Sequence, residues 1–228
     1  MLEVSKIEQA RSTLSYRFSS VRRSYHLIAT SIGALLVGLV VLLGFQTYVP
    51  VEYITRDPAA IAEHPIYYGA VSNLGILLWS ASVTACLLGG TIVKVLKDKT
   101  EAVSFFLAFG SLSLFLCMDD LFLLHEDLFP RRLNLPEEIT FVVYAIAVSA
   151  ALVRFRKFLL KNQPALFGAA LLLFAFSLSS DLIFSLFELE GGAAYAIEDG
   201  FKFIAIFVWC MYFLWAAIDQ ITTASIVK

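Results

Sequence analysis

"FLCMDDLFLLHEDLF", Phe115–Phe129, closes a strongly apolar segment with five ionisable groups: Asp119, Asp120, His125, Glu126 and Asp127. Upstream, the chain from Ala102 to Met118 carries no charge at all. Such a run is suited to hydrocarbon, so the acids at its end need a reason.

The rest of the chain supports that setting. Of 228 residues, 59% are hydrophobic and 16% charged, with a mean hydropathy of +0.80. A soluble domain carries about 25% charged residues. The apolar residues fall into six blocks: His26–Val49, Tyr67–Leu96, Ala102–Leu124, Ile139–Val153, Ala165–Phe187 and Ala194–Ile221. About 20 residues cross a bilayer core as a helix, so the blocks read as six transmembrane helices of an all-α integral membrane protein. The fourth is short, which leaves its ends open. Residues 26–228 are expected to form a single transmembrane domain.

Residues 1–25 are polar and basic, and the first apolar block is too long for a signal-peptide core. This segment reads either as a solvated tail or as an amphipathic surface helix with Leu2, Ile7, Leu14, Tyr16 and Phe18 partly buried. The three cysteines, Cys86, Cys117 and Cys210, show no metal or disulfide spacing and are expected to pack as small apolar residues.

Charge sets the expected orientation. One side collects Lys6, Arg11, Arg17, Arg22, Arg23, Lys94, Lys97, Lys99, Arg154, Arg156, Lys157, Lys161 and Lys228, against Arg56, Arg131, Arg132 and Lys202 on the other. The positive-inside bias places both termini in the cytoplasm. The basic residues occupy short loops beside the membrane, where anionic lipid is the natural partner and nucleic acid has no support. The acidic residues gather on the opposite, outer side, a skew that topology does not require.

Those outer acids follow a pattern. A shift of 61 residues carries Phe115 onto Phe176, Asp120-Leu121 onto Asp181-Leu182, Asp127-Leu128 onto Glu188-Leu189 and Glu137-Glu138 onto Glu198-Asp199. The third-fourth and fifth-sixth blocks then read as parallel hairpin repeats, each with an acidic pair opening its return helix. Parallel repeats of this kind occur in transporters. If the third helix stays regular, Asp120 and Asp127 share one face and Asp119 and Glu126 its neighbour, with His125 off the edge. Ser177, Asp181, Ser185 and Glu188 make one polar stripe on the fifth helix. Asp120 and Asp181 lie about 10 Å deeper than their outer partners.

A charge at membrane depth costs roughly 2.5–3.5 kcal/mol, so Asp119, Asp120 and Asp181 are expected to face the protein interior. Carboxylate oxygens suit a hard divalent cation. The candidate ligands are Asp119, Asp120, His125, Glu126, Asp127, Asp181, Glu188, Glu198 and Asp199, and the candidate ions are calcium, magnesium, manganese or zinc. No named metal motif occurs: "HEDLF" lacks the second histidine of a zincin, and no Glu-x-x-His is present. The competing account is charge compensation, with Lys202 neutralising Asp181 or Asp120, and Arg131 and Arg132 covering Glu126 and Asp127.

Three functions follow from this reading. The leading one is a transport-related protein whose outward-facing acidic cavity binds a cation or protons. The second is a membrane-embedded metal-dependent hydrolase acting on a lipid or lipid-linked substrate, with His125 or Glu126 as general base. The third is a non-catalytic subunit of a larger membrane complex, or a homo-oligomer.

Overall fold

The computed structural model describes residues 2–96, 100–189 and 191–226. Every regular element among them is helical. In chain order these are α1 (Leu2–Phe45), α2 (Glu52–Thr55), α3 (Pro58–Ile61), α4 (Ala70–Leu96), α5 (Thr100–Phe122), a π-helical segment (Leu124–Arg132), α6 (Glu137–Lys161), α7 (Pro164–Leu186) and α8 (Gly192–Ile226). Six of them are long and apolar enough to cross a membrane. That is the architecture of a multi-pass membrane protein.

Residues up to Ala70 form one unit and those from Val71 a second. In the first, α1 runs 44 residues without a break, so the basic segment continues directly into the apolar one. Tyr16 and Phe18 are exposed along it, while the side chains of Leu2, Ile7 and Leu14 lie outside the described residues. Asp57 caps α3 by accepting from the amides of Ala59 and Ala60, which satisfies donors that a helix start leaves open.

The second unit is a bundle with an aromatic core. Phe105 and Phe109 of α5, Phe155 of α6, Phe167 of α7 and Trp209 and Phe213 of α8 are all buried. Their rings meet in tilted and edge-to-face pairs, such as Phe109–Phe213 at 5.4 Å and Trp209–Phe213 at 5.1 Å. Such geometries add to the gain from burial. The α4–α5 seam is tight: a Cβ on Gly89 would meet the Phe106 ring at 2.8 Å, and one on Gly110 would meet Cys86 at 3.0 Å. Small residues permit that approach between membrane helices. All three cysteines are buried and unpaired, as packing residues would be.

The fourth span extends beyond Val153. Helix α6 continues through Arg154, Arg156 and Lys157 to Lys161, because long basic side chains can keep their charges at the interface while their stems stay apolar.

The acidic hairpin ends depart further from the expected geometry. Helix α5 stops at Phe122, and Leu123 adopts a left-handed backbone with φ 50°. The chain then widens: the Leu128 amide reaches the Leu123 carbonyl, five residues back, at 3.2 Å. Pro130 lies inside this segment. It has no amide hydrogen, and its ring would strike the carbonyl four residues back in a regular helix, which a π turn relieves. The shared faces expected for Asp120 with Asp127 and Asp119 with Glu126 are therefore lost.

The second hairpin ends differently. Helix α7 continues to Leu186, and Glu188 takes the left-handed position with φ 51°. The Leu189 amide closes the turn onto the Phe184 carbonyl at 2.9 Å, a common helix stop. Glu188 thus lies past the helix, and the polar stripe ends at Ser185. Helix α8 begins at Gly192, so Glu198 and Asp199 lie within it rather than opening it. The side chains of Glu137 and Glu138 lie outside the described residues.

Candidate functional site

The adjacent aspartates at the end of α5 point to different partners. Asp119 is buried, 3% exposed, and its partner is the segment that follows it. Asp119 Oδ1 accepts from the His125 amide at 3.0 Å, and Oδ2 lies 2.7 Å from His125 Nδ1. The left-handed turn at Leu123 makes this possible by folding His125 back over the end of α5. His125 is itself buried, against Phe141 at 5.5 Å and Tyr144 at 6.5 Å. Its other ring nitrogen, Nε2, lies 3.5 Å from Glu126, whose side chain is half exposed.

Asp120 is held by two other helices. Lys202 Nζ of α8 lies 2.7 Å from Oδ1, and Trp79 Nε1 of α4 donates to Oδ2 at 2.8 Å. The indole is fixed in turn by stacking on Phe174 and by an edge contact with Trp209. Both carboxylate oxygens of each aspartate are therefore engaged. Trp209 donates to Ser113 at 2.9 Å one layer deeper, and this ties the polar end to the aromatic core.

Around these two pairs lies a wider field. Lys202 interacts electrostatically with Asp119 and Glu126 as well as Asp120. Glu198 interacts with Asp181, Asp199, Lys202 and Glu126. The buried Tyr144 hydroxyl is turned toward Asp119, with Asp120 also within electrostatic reach.

His125 binds a proton more readily than a free histidine. Burial disfavours its charged form, but the hydrogen bond that its ring donates to Asp119 and that carboxylate's charge outweigh burial and raise the pKa from its ordinary value. Glu126 adds to the effect and Lys202 opposes it. A buried carboxylate–imidazole pair of this kind holds its proton more firmly than a free imidazole.

A family model described as a domain of unknown function, DUF8692, matches residues 29–216. The chain belongs to that family. The match contains every site residue named above. No curated protein and no solved structure matches the chain.

Of the nine expected ligands, the structure joins Asp119, His125 and Glu126 in a short chain, gives Asp120 to Lys202 and Trp79, and leaves Glu198 and Asp181 at longer electrostatic range. Asp127 turns to Arg131, one helical turn on, at 2.9 Å. Glu188 and Asp199 are exposed. Among the described residues, no three His, Cys, Asp or Glu side chains come together so as to hold a metal ion. Lys202 takes the place a cation would fill beside Asp120.

Trp79 and Tyr144 join the site without having been among the residues expected from the sequence. Trp79 stands 41 residues before its partner, and no local signal connects them. Tyr144 had one available signal, a phenol inside an otherwise apolar span.

Proposed function

We propose that this is a transport-related membrane protein whose acidic end binds and releases protons on the external side of the membrane. One observation carries the reading: a buried Asp119–His125 pair next along the chain to the half-buried Asp120–Lys202 ion pair. The pair reaches the surface through Glu126, 3.5 Å from His125 Nε2. That gives an ordered set of groups from exposed carboxylate to imidazole to buried carboxylate, as proton-handling membrane sites require. The charge asymmetry of the loops supports the outward orientation.

Protons suit the site better than a divalent cation. A metal would have to displace Lys202 from Asp120 and His125 from Asp119, and the ligand set does not converge around an ion. The test is proton flux into proteoliposomes loaded with a pH-sensitive dye. Asp119→Asn and His125→Gln should each lower flux about a hundredfold or more, the low end of what positioned proton-transfer groups contribute, while Arg131→Gln leaves it intact. Wild-type flux in both site variants removes the reading.

A second reading draws on the same pair. An imidazole oriented by a carboxylate at Nδ1, with Nε2 turned toward the half-exposed Glu126, resembles the arrangement of a general base. A membrane enzyme acting on a lipid or lipid-linked substrate would use His125 in that role. Lipid hydrolysis lost in His125→Gln, with no proton flux in the parent protein, favours it over transport.

A further inference from the structure

We propose that the exposed face of α6 is a binding site for one anionic phospholipid, independent of the proton site. A groove of about 750 Å³ runs along this helix, lined by Val142, Ala145, Ile146, Ser149, Ala150 and Val153, and it ends at Arg154. It is shallow and open, a strip of the surface of this one helix in which the small Ala145, Ser149 and Ala150 alternate with branched aliphatic residues.

Two features identify the occupant. The first is length. Val142 to Val153 spans about 16 Å at 1.5 Å per residue, close to the roughly 15 Å of one leaflet in a hydrocarbon core of about 30 Å. The second is charge. Ile146, Ala150, Val153 and Lys157 follow i, i+4, i+7 and i+11, so Lys157 extends the groove's own face just beyond its end. Arg154 is held beside it, its guanidinium 4.9 Å from the ring centre of buried Phe155. An acyl chain fits the apolar length, and a phosphate-bearing headgroup meets two cations where the groove stops. Arginine and lysine both bind phosphate oxygens well.

The experiment is native mass spectrometry of the purified full-length chain in detergent, titrated with phosphatidylglycerol or phosphatidylcholine. Phosphatidylglycerol should bind and phosphatidylcholine should bind weakly. Arg154→Gln and Lys157→Gln should each weaken phosphatidylglycerol binding about fivefold, the value of one basic residue at an anionic headgroup. Ala150→Trp, which fills the groove and leaves the charges in place, should weaken it as well. Equal binding of the two lipids, or unchanged binding in all three variants, overturns the site. So does efficient crosslinking of two copies through Ser149→Cys in membranes, which would put a second chain on this face.

Discussion

The two acidic hairpin ends share acidic positions at a 61-residue offset, Asp120 with Asp181 and Asp127 with Glu188, and use them in opposite ways. At the first, the chain breaks out of α5 at Leu123, folds His125 onto Asp119 and leaves Asp120 to Lys202 and Trp79. At the second, α7 runs three residues further on the same alignment and stops in a simple left-handed turn at Glu188. Asp181 is half-buried there and faces Glu198, a like charge. Among the described residues no basic side chain pairs with it. Matching acids thus give one locked polar cluster and one open rim. The difference lies both in the residues, since Ser180 and Leu186 stand at the offsets of Asp119 and His125, and in the segment that follows: nine residues of π-helix containing a proline in one case, and a short turn in the other.

Removing the lock should cost most. Lys202→Met leaves Asp120 charged without its counter-ion, and we expect a loss of about 3 kcal/mol in thermal unfolding. That is the low end for buried pairs, because Lys202 keeps a third of its side chain exposed. Adding Asp120→Asn should recover part of the loss. Equal destabilisation by Lys202→Met with and without Asp120→Asn would show that the ion pair is not what closes this hairpin.

Asp119→Asn comes next, at about 2 kcal/mol, since it weakens two hydrogen bonds to a charged acceptor. It should also change the pH dependence. His125 has a raised pKa in the folded protein, so its contribution is complete below about pH 6.5, the unfolded value. That contribution is lost as pH rises through the folded value, with a slope no steeper than about 1.4 kcal/mol per pH unit. Unfolding followed from pH 5 to 9 should show this decline in the parent and lose it in His125→Gln. An unchanged slope would remove the imidazole from the account.

The smallest effects should sharpen the contrast. Arg131→Gln breaks an exposed pair one turn apart and should shift stability by no more than about 0.5 kcal/mol. Asp181→Asn should be neutral or slightly stabilising, because it relieves repulsion with Glu198. A large loss on Asp181→Asn would mean that the second hairpin is locked too.

The six spans were legible because hydrocarbon selects long apolar runs whatever their neighbours. The fourth was cut short only because Arg154 looked like an end, although its long stem tolerates the interface. The depth of Asp119 and Asp120 was also legible, from their place in such a run. Their partners were not. Asp120's contacts come from helices 41 and 82 residues away along the chain, and a pattern within one helix cannot name them. His125 was set at the margin because the helix was assumed to stay regular. The one local warning was Pro130, which cannot sit in the interior of an α-helix without disturbing it. The 61-residue offset matched residue types but not helix ends, since turns are set by a few backbone angles rather than by the acids beside them.

Helix α1 has a consequence of scale. Its 44 residues in one continuous rod reach about 66 Å, while the hydrocarbon slab is about 30 Å thick. Even at a 40° lean the rod needs only about 39 Å of its length to cross. Some 27 Å is left over, a mast about five turns tall standing clear of the bilayer's greasy interior.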